Sequence, residues 1–160
     1  MIAQRRVDVA DLNGRAHALM RAAGALGEQE LVVGDVAFAR GDRVLVRRND
    51  RGLGVVNGDR GVVTDVDPEL GRIDIDLGGR RVSLPRVFLE QPTRHGGRSL
   101  MHGYALTVHL AQGMTCDRTF VLVGDQLTRE AGYVALSRGR ESNRLYVLDS
   151  PESERDAFPR

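Results

Sequence analysis

The sequence predicts an α/β fold that carries a small inserted antiparallel β-barrel. Three observations predict it. Near the N-terminus apolar residues recur at helical spacing. From Glu30 to about Glu90 the apolar period is two, broken by turn signals. The last third returns to short continuous apolar runs, two of them separated by a helical pattern, as in layered α/β proteins.

In chain order, Met1–Gln4 reads as a short strand. Asp8 stands where an N-cap belongs, and Leu12, Ala16, Leu19, Met20 and Ala23 then fall on one face, so Val9–Ala23 is expected to be a helix stopped by Gly24 and Gly27. His17 is expected on the solvent side of that helix. In the middle stretch Val44 and Val46, then Ile73, Ile75 and Leu77, then Val82 and Leu84 alternate with polar residues. Asn57-Gly58, Pro68–Gly71 and Gly78-Gly79 are the turns between them, with Gly58 and Gly61 expected to supply positive φ. Glu90–Gly103 is rich in Pro, Gly and polar residues and reads as a return linker. Tyr104–Val108, Thr119–Val123 and Arg144–Leu148 read as strands buried on both faces. A helix is expected between the last two, with Thr128 as N-cap, Glu130 in its first turn, an Ala131/Val134/Ala135 stripe and Gly139 as its stop. The polar tail from Asp149 reads as frayed.

Composition excludes several chemistries. All 23 basic residues are Arg and none is Lys. A GxxxxGK[ST] phosphate loop needs its Lys to reach the nucleotide phosphates, so none exists in this chain, nor does any lysine Schiff-base chemistry. The single cysteine, Cys116, excludes an internal disulfide framework and a multi-cysteine zinc site, and no metal site is expected. Cys116 itself reads as a small buried hydrophobe. No apolar run approaches the roughly 18 residues of a membrane span, and no signal peptide is visible, so a cytoplasmic protein is expected. The net charge of +1 gives no global argument for nucleic acid. Locally Arg40–Arg60 holds six Arg against three Asp, yet over Val36–Glu90 ten Arg face nine acids. Arg47 and Arg48 are the candidate phosphate contacts of that local patch.

Two short stretches carry chemistry. Thr107-Val108-His109-Leu110-Ala111-Gln112-Gly113 ends a strand in a hydroxyl and an imidazole, followed by an amide and a glycine. Ligands of open α/β sheets bind beyond the carboxyl ends of strands, where these groups fall. Thr and His can donate to phosphate oxygens, and Gly113 allows close approach of a ligand to the backbone. Thr107 and His109 equally suit the capping of the next turn. Arg138 and Arg140 stand near the end of the second helix. They suit complementation of a helix C-terminus, or an arginine that stabilises charge on a transferring phosphoryl group.

The pair T-x-H-x-x-Q-G and Tyr133–Arg138 (YVALSR), in that order and spacing, resembles motifs V and VI of superfamily 1 DNA helicases. The likeness is greatest to the RecD-like group and to conjugative relaxase-helicases of the TraA/TrwC type. Arg40–Val63, with its GDRV strand, RND step and NGDRG turn, resembles the SH3-like insert of their second motor domain, and IAQRRVDVADLN resembles the motif IV region. The resemblance implies a RecA-like parallel sheet built from residues 1–34 and 93–149, an SH3-like β-barrel over 35–92, and a flexible tail at 150–160. It implies that Thr107 and His109 contact single-stranded DNA, that Gln112 and Gly113 lie at the ATP cleft, and that Arg138 is the arginine finger. Tyr133 would pack the motif VI helix, and none of Tyr104, Tyr133 and Tyr146 is expected as a nucleophile. Leu110 stands where the group often has Lys or Arg, and Thr115 where UvrD-type relatives have a ribose-binding Glu.

ATP and Mg²⁺ are implied for the complete motor and not for this chain alone. The implied partners are single-stranded DNA and a P-loop-containing first motor domain, in cis or in trans, with no membrane. The implied function is the C-terminal part of an ATP-dependent 5′–3′ helicase or relaxase, inactive by itself. The alternatives are a stand-alone nucleic-acid module using the barrel, and an inactive remnant of a mobile-element helicase.

Overall fold

A computed structural model describes residues 1–124 and 129–147. The chain forms two compact units: Met1–Leu12 together with the chain from Ala105 onward, and Asn13–Tyr104.

The first unit is built on a parallel sheet. Strands β1 (Ile2–Ala3), β9 (Leu106–Thr107), β10 (Cys116–Val123) and β11 (Gly139–Val147) stand in the order β11-β10-β1-β9, and every pairing is parallel. Ile2 lies opposite both Leu106 and Val121, so two residues of β1 are enough to join β9 to β10. Helices α3 (Val108–Ala111) and α4 (Arg129–Leu136) supply Ala111 and Ala135 to a small core with Ile2 and Val121. Small residues at these helix positions let the backbones approach the sheet closely.

Three expectations are corrected here. Val108 begins a short helix and does not extend the strand, because the Thr107 side chain accepts from the Leu110 N–H and closes a turn. β11 is not buried on both faces: it is the edge strand, and Leu145, Tyr146 and Val147 are exposed. Gly139 does not stop α4 but opens β11, the helix having ended at Leu136. Thr128, Leu148 and the tail lie outside the described residues.

Helix α1 (Arg6–Ala22) begins in the first unit and continues from Asn13 in the second. It starts before Asp8, which is therefore not its N-cap but a first-turn acid paired with Arg5 at 2.7 Å. The N-terminal position still favours a negative charge. Gly24, at φ +69°, takes the left-handed conformation that ends the helix.

The second unit is antiparallel. β4 (Arg43–Val46), β5 (Arg60–Asp67), β6 (Arg72–Asp76), β7 (Arg81–Leu84) and β8 (Leu100–His102) form a sheet in the order β7-β6-β5-β4-β8. A hairpin of β2 (Glu30–Val33) and β3 (Val36–Ala39), and a short helix α2 (Arg86–Glu90), add Leu31, Phe38, Phe88 and Leu89 to its core around Val44, Val63, Ile73, Ile75 and Leu84. Aspartates close the turns: the Leu70 N–H donates to Asp67, that of Gly79 to Asp76 and that of Val56 to Asp59, each at 2.9 Å. β8 corrects the reading of Glu90–Gly103 as a linker. Its Leu100–His102 stretch pairs with Val46–Val44 at the edge of the sheet, a partnership set by residues more than fifty positions away.

Gly58 sits at φ +106°, as a tight turn between strands requires. Gly61 does not have positive φ. It lies in β5, where a Cβ would run into the Asp76 carbonyl oxygen and, at 2.9 Å, the Leu77 side chain. Gly61→Ala is therefore expected to cost roughly 2–3 kcal/mol, because the cross-strand backbone must give way. Gly58→Ala, with open space around its Cβ, should cost only about 1 kcal/mol of backbone strain. Thermal melts of the two variants check the order; equal shifts would contradict the cross-strand collision.

Candidate functional site

The first unit brings most of the sequence-predicted site residues together. Thr107 ends β9 and caps α3, its Oγ1 accepting from the Leu110 N–H at 3.3 Å. His109 is exposed on the same short helix. Gln112, also exposed, is the C-cap of α3, its N–H donating to the His109 carbonyl at 3.3 Å. Gly113 follows at φ +78°, with open space where a Cβ would stand. A non-glycine residue there would be strained by its backbone alone.

Arg138 approaches this loop from the other side of the sequence. It lies half-buried two residues past the end of α4. Its Nε donates to the Val134 carbonyl at 2.8 Å, its Nη1 to the Met114 carbonyl at 3.1 Å and its Nη2 to Ser137 Oγ at 2.8 Å. The bond to Val134 satisfies a last-turn carbonyl of the helix, so the complementing role is realised. The bond to Met114 does something else: it ties the α4 terminus to the loop that carries Gln112 and Gly113. Arg140 faces Asp117 at 3.3 Å, with both side chains exposed. The donor set of this wall suits a phosphate group: a planar guanidinium, an exposed amide and an unobstructed glycine backbone.

Other expectations are corrected. Tyr133 does not pack α4; it is 77% exposed, and Tyr146 is 50% exposed, so neither occupies a core position. Cys116 is half-buried and not a simple core residue. Its Sγ lies 3.3 Å from Thr119 Oγ1 and 3.6 Å from the Arg138 carbonyl. Arg47 and Arg48 stand in the second unit, both half-buried just past β4. Arg47 is engaged on β8: its N–H donates to the Ser99 carbonyl at 2.7 Å, and its guanidinium lies 3.9 Å from Met101 Sδ.

The second unit also contains a buried polar cluster that sequence reasoning missed. Asp42, fully buried, receives the Ala39 N–H at 2.7 Å and the Tyr104 hydroxyl at 2.6 Å. His17 Nδ1 lies 3.0 Å from both Asp42 oxygens, and its Nε2 lies 3.1 Å from Glu30, which also pairs with Arg21 at 2.8 Å. His102 Nε2 is 3.6 Å from Asp42, and its ring stacks on that of His17. His17 is thus not a solvent-side residue; its partner Asp42 lies 25 positions away, where helical periodicity cannot see it. Burial pushes the Asp42 carboxyl up, but the neighbouring His102 ring and the hydrogen bonds from the Tyr104 and His17 side chains and the Ala39 amide outweigh it and hold the group down at about 2. Tyr104 is pushed up by its own burial and by its bond to Asp42.

His17, Asp42 and His102 offer ligand atoms within 4.8 Å of one another. The two rings are nearly parallel, 19° apart at a centroid distance of 4.9 Å. Their in-plane lone pairs run side by side and do not converge on one ion, and both Asp42 oxygens already accept hydrogen bonds. The cluster reads as a hydrogen-bond network.

The comparisons with known proteins bear on the first unit and the second alike. No family model matches the chain. It is 36% identical over 149 residues to the conjugal transfer protein TraA of Agrobacterium fabrum, which covers 91% of this chain and 13% of that protein. It is 31% identical over 134 residues to the ATP-dependent DNA helicase PIF1 of Rattus norvegicus, covering 78% of this chain and 19% of that protein. The chain is a homologue of a segment of the TraA conjugal transfer proteins and of the PIF1 helicases. A Bacteroides Pif1 helicase, solved in complex with ADP-AlF3 and ssDNA, superimposes with a TM-score of 0.65 over 93% of this chain at 23% identity, which confirms the RecA-like α/β fold. The chain spans 40% of that Pif1 chain and about an eighth of TraA. It is also 37% identical over 102 residues to the uncharacterized protein Rv2311 of Mycobacterium tuberculosis, of which it spans 55%. No described helix is long and apolar enough to cross a membrane.

Proposed function

We propose that this chain supplies one wall of a two-domain, ATP-driven DNA motor of the 5′–3′ helicase or relaxase kind. The observation that carries the reading is the Arg138–Met114 bond, which joins the helix terminus bearing the arginine to the loop bearing Gln112 and Gly113. In this reading Arg138 is the arginine finger, Gln112 and Gly113 face the nucleotide, and Thr107 and His109 contact the backbone of single-stranded DNA. ATP with Mg²⁺ supplies the phosphoryl group whose charge Arg138 neutralises. A P-loop domain, in cis or in trans, supplies the cradle that a chain without lysine lacks. The second unit is read as an SH3-like module beside the DNA path, with Arg47 and Arg48 toward phosphate.

Fluorescence anisotropy with a labelled oligonucleotide tests the DNA half of the proposal. Thr107→Ala combined with His109→Ala is expected to weaken binding about tenfold, the scale of one or two lost phosphate contacts. Arg47→Ala with Arg48→Ala should weaken it less and reduce its salt dependence. Loss confined to the Arg47/Arg48 variant would favour a stand-alone module instead. Rv2311 makes that second reading concrete, since the shared segment is there a much larger part of the whole protein.

A further inference from the structure

We infer that Arg138 is a positioning residue for the Gln112–Cys116 loop, which it holds through the Met114 carbonyl until an anion takes the guanidinium. The inference rests on the proposed phosphate-facing role of the same residue and adds a regulation to it.

Residue 138 grips the loop twice. Its side chain donates through Nη1 to the Met114 carbonyl at 3.1 Å, and its own carbonyl accepts the Cys116 N–H at 2.9 Å. Between these two anchors lies only Thr115, which is exposed. The guanidinium is aimed by two further bonds, to Val134 and to Ser137 Oγ, and Ser137 Oγ itself donates to the Val134 carbonyl at 3.1 Å. A planar fork fixed in this way holds Nη1 on the loop more rigidly than a lone ammonium could.

Three of the five guanidinium N–H groups are engaged by Val134, Met114 and Ser137, and a phosphoryl group that takes the Nη1–H now on Met114 competes with that carbonyl. A guanidinium bonds an anionic oxygen more strongly than a neutral carbonyl, so a phosphoryl group that draws Arg138 away removes one of the two anchors. The loop then keeps the Cys116 contacts with the Arg138 carbonyl and the Met114 N–H bond to the Ala111 carbonyl, and loses its side-chain anchor. Because Gln112 and Gly113 are in that loop and Thr107 caps the helix leading into it, the order of the DNA-facing end depends on where one side chain points. Coupling of this kind is reciprocal: whatever orders the loop around Met114 also holds Arg138 back from the anion.

Amide hydrogen exchange measured by NMR on the 160-residue chain tests this directly. In Arg138→Ala, exchange at Met114 and Cys116, whose N–H groups bond the Ala111 and Arg138 carbonyls, is expected to accelerate about tenfold, the effect of one lost bond to a charged donor. The amides of Val63 and Ile75, in the antiparallel sheet, should not change. In the unaltered chain the Arg138 Nε–H should give a slowly exchanging signal. Arg138→Lys keeps the charge and loses the fork, so it should not restore the loop. Unchanged loop exchange in Arg138→Ala, or full restoration by Arg138→Lys, would overturn the inference. Oligonucleotide binding read on the same samples separates the two ideas: a chain that shows the clamp yet binds no single-stranded DNA sinks the proposed function and leaves the clamp standing.

Discussion

Asp42→Ala will melt far below the unaltered chain, with a loss of about 3–5 kcal/mol, the scale for breaking a buried, fully partnered charge. The carboxylate is fully buried and serves three groups from separate parts of the second unit, the Ala39 amide, the Tyr104 hydroxyl and His17 on α1, with His102 Nε2 on β8 3.6 Å away. Removing it leaves the amide and the hydroxyl without their acceptor in a buried site, and each unsatisfied group adds its own desolvation cost. The same carboxylate sets an acid limb. Its folded value of about 2 lies below the ordinary 3.8, so the group favours folding when ionised. The contribution is therefore complete above about pH 4 and is lost as pH falls from there towards 2; the shift is worth roughly 2 kcal/mol. Asp42→Asn keeps the shape and removes the charge. It should melt between the two and lose this acid dependence. Thermal melts from pH 2 to 7 read both effects, and an acid limb that survives in Asp42→Asn would assign it to other carboxylates.

Arg138→Ala is expected to cost about 10³-fold or more in ATP turnover within a complete motor, while single-stranded DNA binding falls only by the few-fold due to a loosened loop. The separation follows from the geometry. The guanidinium is held by protein carbonyls and Ser137 at the α4 terminus, whereas Thr107 and His109, the proposed DNA contacts, stand on β9 and α3. The natural test bed is the ATP-dependent DNA helicase PIF1 of Rattus norvegicus with its matched segment replaced by this chain. Arg138→Lys there should recover little, because a single ammonium cannot present the planar fork. Steady-state turnover and oligonucleotide affinity, measured on the same preparations, separate the two roles. Equal losses of both would point to a folding defect.

What the sequence revealed follows the range of the interactions involved. The parallel strands and the helices α1 and α4 were legible because short apolar runs and helical spacing are local patterns, and so was the Asn57-Gly58 turn; the burial of the α1 apolar face was not, since Leu19 and Met20 are exposed. The Thr107 and Gly113 geometry was legible because a strand end, a hydroxyl and a glycine within seven positions constrain one another. The cluster around Asp42 was not, since His17, Glu30, His102 and Tyr104 meet it only through folding across tens of residues. Leu100–His102 hid in a polar stretch for the same reason: its strand character comes from pairing with β4. Gly61 was misread because the group that excludes a side chain there belongs to the neighbouring strand. The place of Arg138 near a helix end was legible, but only the folded chain reveals that it reaches Met114.

The central claim is that this chain completes a motor whose phosphate cradle lies elsewhere. ATP turnover by the PIF1 chimera, with and without single-stranded DNA, tests it most directly. The account predicts DNA-stimulated turnover in the chimera and none from the 160-residue chain alone. A chimera that folds and binds single-stranded DNA yet turns over no ATP would contradict it, as would turnover by the isolated chain that disappears in Arg138→Ala.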